Sequence, residues 1–130
     1  LMPSECSGGM ARRVGLARAL ALDPDLIMYD EPFAGLDPIS CNVVGKLIRR
    51  LNDALGVTSI VVSYDAQESL RCIDYVYFLA DGVVVAQGST EDVKNSDDPF
   101  VKQFIKGLPD GPVPFHYPQD TYAADLELKA

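Results

Sequence analysis

Two carboxylates stand side by side at Asp30-Glu31, directly after the apolar run Leu26-Ile27-Met28-Tyr29. Such a run reads as a buried strand whose polar end reaches solvent. Acids in that place are poor packing residues, because burying an unpaired carboxylate is costly. They suit a magnesium–phosphate site, in which one carboxylate orders the metal's water shell and its neighbour polarises a water. A plain solvated strand end is the structural alternative. A second feature lies upstream, where Ser7-Gly8-Gly9 precedes the basic, apolar stretch "MARRVGLARAL". A helix N-terminus offers unpaired N–H groups and about half a positive charge, and glycines let a bulky anion approach its backbone. The stretch reads as a phosphate-contacting cap; a simple turn before a helix is the alternative.

These residues need elements to hold them. Ser7 is a cap for a helix running to about Leu22, with Val14, Leu16, Ala17, Leu20 and Ala21 as its apolar stripe. "DPD" at 23–25 breaks it, and the strand ending at Asp30 follows. "PFAGLDP" is a turn, after which Asp37 as N-cap and Pro38 at the first helical position open a helix that stops near Gly56. "TSIVVSYD" predicts a second strand with a polar end, and "AQESLRCI" a short helix. "YVYFLADGVVVAQGS" predicts a hairpin around Asp81-Gly82. Ser89 and Asp92 suit a capping pair for the next helix, and Pro99 to Lys106 forms another. From Gly107 the proline- and glycine-rich "GLPDGPVPFHYPQD" excludes helix and central strand. Strands alternating with helices predict an α/β domain with a largely parallel sheet.

The bulk composition narrows the class. With 130 residues and 48% hydrophobic content, the chain can build one compact core. A net charge of −8 argues against broad nucleic-acid binding, and no nucleic-acid partner is expected. Cys6, Cys41 and Cys72 form no CxxC pair, which suggests reduced thiols in a reducing compartment. No stretch reaches the ~18 apolar residues of a membrane span, and no signal peptide is visible. The first residue is Leu1, and the first motif follows almost at once; the chain reads as a piece of something longer.

The order and spacing of SGG, basic helix, strand-DE and P-x-x-G-L-D-P resemble the nucleotide-binding domain of ATP-binding-cassette (ABC) transporters, over roughly residues 4–106. The resemblance implies the C-terminal portion of a P-loop NTPase domain at 1–106, followed by an extended proline- and aromatic-rich tail at 107–130. It implies ATP and Mg2+ as cofactors. Cys6-Ser7-Gly8-Gly9-Met10 occupies the signature loop, departing from the usual leucine at its first place and glutamine at its last. Asp30 corresponds to the Walker B aspartate, ordering magnesium through water, and Glu31 to the catalytic glutamate that polarises the attacking water. The resemblance implies that Ser7, Gly8, Gly9 and Met10 contact the nucleotide held by a second, identical ATPase subunit. Ala34-Gly35-Leu36-Asp37 occupies the D-loop, in which Asp37 bridges the two domains. The remaining implied partners are transmembrane permease subunits and a small accessory subunit, at the cytoplasmic face of the bacterial inner membrane. The tail "DGPVPFHYP…YAADL" and the motifs "SGGMARR" and "DEPFAGLDPI" further resemble ATPases of the maintenance-of-lipid-asymmetry (Mla) system, which implies phospholipid transport.

Two departures stand out. The family's switch histidine is replaced by Tyr64, a longer phenol that is neutral near pH 7 and supplies no cation, so hydrolysis is expected to be weakened. The only histidine, His116, lies in the tail and reads as a surface residue. No G-x-x-x-x-G-K loop followed by Ser or Thr occurs in the chain, so the main phosphate cradle lies outside it. In the family the strand leading into that loop sits beside the strand ending at Ser63. Without it, that strand and Tyr75–Ala80 lose a shared neighbour, and their apolar edges are expected to invite pairing with other chains. Three alternatives stay open: the ATPase of another ABC importer or exporter; a soluble ABC ATPase of DNA repair or translation, against which the lack of heptads speaks; and an interaction fragment that neither binds nor hydrolyses ATP by itself.

Overall fold

The computed structural model describes residues 1–113. A 3-10 turn at Pro3–Glu5 precedes α1 (Gly8–Leu20), β1 (Leu26–Asp30), α2 (Pro38–Leu55), β2 (Thr58–Val62) and α3 (Ala66–Ser69). The hairpin β3 (Tyr75–Ala80) and β4 (Val83–Ser89), then α4 (Thr90–Lys94) and α5 (Pro99–Lys106), complete the order. The chain divides after Val93 into two compact units.

In the first unit, β1 and β2 pair in parallel, from Leu26 opposite Thr58 to Asp30 opposite Val62. The α2 crossover between them starts at Asp37, whose carboxylate accepts from the Ile39 and Ser40 amides at 2.9 and 3.0 Å. It ends at Gly56, where φ is +66°. Asn52 ties that end to β2 by donating to the Val57 carbonyl at 2.6 Å and the Ser59 hydroxyl at 3.1 Å. β3 and β4 pair antiparallel through Asp81 and Gly82, both at left-handed φ (+49° and +78°), as a two-residue type I′ turn requires. Ser89 and Asp92 cap α4 reciprocally: each side chain accepts the other's amide, at 3.1 and 3.2 Å.

The core is one-sided. Ile27 and Tyr29 point from β1 into a cluster with Phe33, with Cys41, Val44 and Ile48 from one face of α2, and with Cys72. Cys41 and Cys72 are buried free thiols, and burial pushes Cys72 up to about 11. The opposite face of the parallel pair carries Leu26, Met28, Ile60 and Val62, and all four are exposed, Met28 by 67%. Parallel strands ordinarily read as apolar because both faces are covered. The parallel arrangement is limited to these two strands, and the hairpin is a sheet of its own. Among the described residues β2 and β3 share no neighbouring strand, as the resemblance implies for a chain without the phosphate-loop strand.

α1 forms over the residues expected, but its five-residue stripe does not act as one face. Leu16 and Leu20 pack against the core, whereas Val14, Ala17 and Ala21 are exposed. At about 100° per residue, Leu16 and Leu20 share one side of the helix, while Val14, Ala17 and Ala21 cluster on the other.

In the second unit, α5 starts at Asp98, which accepts from the Phe100 and Val101 amides at 2.8 and 3.2 Å. Past its Gly107 terminus, the chain folds back onto buried Gln103. That side-chain amide donates to the Leu108 and Val113 carbonyls at 3.3 and 2.7 Å and accepts from the Val113 N–H at 2.9 Å. Residues 109–113 are neither helix nor strand, as their prolines and glycines dictate. The tail aromatics Phe115, Tyr117 and Tyr122, and His116, expected as a surface residue, lie outside the described residues.

Candidate functional site

The parallel pair delivers Asp30 and Glu31 to its carboxyl end. Asp30, the last residue of β1, is exposed, and Glu31 is half-buried. Glu31 leaves the strand at φ +44°, a left-handed conformation that costs a non-glycine residue on the order of 1–2 kcal/mol. Three bonds to the end of β2 hold it there. Its N–H donates to the Val62 carbonyl at 2.9 Å. Its carboxylate accepts the Ser63 hydroxyl on Oε2 at 3.1 Å and the Tyr64 N–H on Oε1 at 3.0 Å. The Ser63 hydroxyl accepts in turn from the Asp65 N–H at 3.1 Å, and Asp65 caps α3 through the Glu68 N–H at 3.1 Å. Tyr64 therefore meets Glu31 through its backbone, and its side chain is 69% exposed.

The loop after Glu31 is short and tied at several points. Gly35 at φ +73° makes its turn, and the Cys41 thiol reaches the Phe33 and Leu36 carbonyls, both at 3.7 Å. Asp37 closes the loop as the α2 cap, as its sequence position predicts. The Ser40 hydroxyl, then the Ser40 and Ile39 amides, hold its carboxyl below the usual carboxylate range. Both of its oxygens are engaged within the chain.

The glycine-rich segment sits at the start of α1. The Ser7 hydroxyl accepts from the Met10 N–H at 3.3 Å. A Cβ on Gly8 would lie 3.4 Å from Leu36 Cδ2, and one on Gly9 3.5 Å from Ser40 Oγ, which is van der Waals contact. Neither glycine has a left-handed φ. The side on which a Cβ would stand faces the chain's own Leu36 and Ser40, and that contact alone does not demand glycine at either place. Arg12 joins α1 to the loop by donating to the Ala34 carbonyl at 3.4 Å. The fold brings Glu31 together with Ser63 and Tyr64; among the described residues no hydrogen bond joins Ser7–Met10 to Asp30 or Glu31.

The donor set fits the cofactors in a limited way. Among the described residues no group of three His, Cys, Asp or Glu side chains could hold a metal. One exposed carboxylate beside a pinned one suits magnesium, which keeps its waters and is bound through one or two carboxylates together with phosphates. Three residues of this site went unassigned in the sequence. Arg12 has no local signal in the sequence, whereas Asp65, directly before the short helix and three places before Glu68, has that of an N-cap. Ser63 stood inside a quoted segment, two places before a helix-capping Asp, and that spacing was its available sign.

Comparison with known proteins gives this geometry a family. The model of the ABC transporter family matches residues 1–34. A nucleotide-free ATP-binding cassette from an ABC transporter aligns with 77% of this chain and 40% of its own, at 31% identity and a TM-score of 0.69. The intermembrane phospholipid transport system ATP-binding protein MlaF of Haemophilus influenzae is 60% identical over 126 residues, covering 97% of this chain and 48% of that protein. The chain belongs to the ABC transporter ATP-binding family. It spans about half the length of the curated relatives it matches. A further cassette, solved as a post-hydrolysis dimer bound to ADP and Pi, aligns with 68% of this chain and 38% of its own, at 33% identity and a TM-score of 0.59. The sheet it shares with these cassettes is the P-loop NTPase type expected from the sequence. Among the described residues no helix is long and apolar enough to cross a membrane.

Proposed function

We propose that the complete protein to which this chain belongs hydrolyses ATP to drive phospholipid transport between bacterial membranes. The observation that carries this reading is Glu31, held by three hydrogen bonds at the carboxyl end of a parallel pair, beside an exposed Asp30. The name and 60% identity of the Haemophilus relative support phospholipid as the cargo. Magnesium-bound ATP supplies an activated phosphoryl group with its charge partly neutralised. Glu31 accepts a proton from, or polarises, the attacking water, and Asp30 orders the magnesium waters. Ser7, Gly8, Gly9 and Met10 meet the nucleotide of a second, identical subunit, with the glycine N–H groups and the proton of the Ser7 hydroxyl offered to it. The dimeric cassette bound to ADP and Pi, to which this chain is similar, supports that arrangement. Asp37, already fixed as a helix cap, holds the bridging loop to its partner. Transmembrane permease subunits and a small accessory subunit complete the assembly at the cytoplasmic face of the inner membrane. The 130 residues by themselves contain the acids and the glycine segment but no G-x-x-x-x-G-K loop, so hydrolysis needs the complete cassette.

The test is Glu31→Gln in the complete protein. Glutamine keeps the shape and one of the two acceptor oxygens but loses the base. ATPase turnover is expected to fall roughly 10²- to 10⁴-fold while nucleotide affinity is retained. Undiminished turnover overturns the reading.

A further inference from the structure

We propose that Ser63 is the positioning residue that aims the Glu31 carboxylate, a role that rests on Glu31 being the base. A serine hydroxyl carries one proton and can also accept, whereas an ionised carboxylate only accepts. The Asp65 N–H, 3.1 Å from Ser63 Oγ, takes up the acceptor side. Because the carboxylate can only accept, the hydroxyl proton lies toward Glu31 Oε2, also at 3.1 Å. Asp65 is itself fixed as the cap of α3, so the direction of the Ser63 proton is set by an element outside the strand pair. Together with the Tyr64 N–H on Oε1, this fixes the plane of the carboxylate at both oxygens. Glu31 needs such a hold because its backbone is left-handed and its side chain is only half-buried. A main-chain amide supplies one of the two contacts whatever side chain follows, so Ser63 is the single side chain on which the aim depends. The replacement of histidine by tyrosine at the next position leaves this hold intact.

The experiment compares Ser63→Ala, Ser63→Cys and Ser63→Thr in the complete protein, measuring kcat and KM for ATP and nucleotide binding separately. Hydrogen bonds to charged groups are strong enough that losing one lowers kcat about ten-fold or more. Ser63→Ala is expected to do so with KM and nucleotide affinity nearly unchanged. Ser63→Cys, which keeps the volume but weakens the donor, is expected to behave likewise and serves if the alanine variant fails to fold. Ser63→Thr, which restores a hydroxyl, is expected to retain turnover. In a Glu31→Gln background, Ser63→Ala is expected to cost nothing further in single-turnover hydrolysis. Wild-type kcat in both the alanine and cysteine variants, equal loss in all three, or a full additional loss on top of Glu31→Gln overturns the role of Ser63. If Glu31→Gln itself retains full turnover, the reading of Glu31 fails instead.

Discussion

At the level of single residues, the site separates what a side chain contributes from what the backbone contributes. Position 64 gives Glu31 its N–H and leaves the phenol exposed. Tyr64 is therefore free to be exchanged without disturbing the glutamate. A histidine there is compact and able to carry positive charge toward a phosphate, which a phenol near neutral pH cannot. Tyr64→His in the complete protein is expected to raise ATP turnover about ten-fold, the gain that comes with a charge-assisted bond in place of a neutral one. Steady-state ATPase rates check this, and an unchanged rate removes the side chain at 64 from the reaction. Asp37 shows the reverse economy: one carboxylate both starts α2 and fixes the end of the loop that carries Gly35. Its carboxyl lies below the ordinary value, so its contribution to α2 is complete above about pH 4 and is lost as the pH falls through that lowered value.

At the level of elements, Gln103 makes the sharpest case. Its side-chain amide pairs with the Val113 peptide as a neighbouring strand would, and also binds the Leu108 carbonyl. Gln103→Ala removes hydrogen bonds whose Leu108 and Val113 ends are exposed to water, at a cost of about 1 kcal/mol. We expect a lower urea midpoint and faster proteolytic cleavage within 107–113; an unaltered cleavage rate would contradict the clamp. This contact was illegible in the sequence, whereas the elements it joins were not. Asp81-Gly82 announced its hairpin because few residues tolerate two successive left-handed φ values. Asp37-Pro38 and Gly56 bracketed α2 because capping is local chemistry. The acids closing β1 were visible for the same reason. α1 misled because Val14 and Leu16 both count as apolar while pointing to different sides. Ser63 escaped because its partner lies 32 positions away in the chain, and only the pairing of β1 with β2 brings them together.

At the level of the whole molecule, the uncovered face decides behaviour. Leu26, Met28, Ile60 and Val62 form an apolar stripe on one side of the parallel pair, and β2 and β3 each have a free edge among the described residues. Such surfaces associate. The 130-residue chain by itself is expected to self-associate at micromolar concentration and to melt broadly, as sedimentation velocity and calorimetry will show. A sharp, reversible, monomeric transition would refute this. The hold on Glu31 reaches further than catalysis. Its partners are the last residue of β2 and the two that follow it, so the hold depends on how β2 aligns with β1. A slip of β2 by a single residue would turn Ser63 to the opposite side and carry off every one of those partners. A mispaired molecule would fall silent before it fell apart, and lost turnover would be the first symptom of faulty assembly.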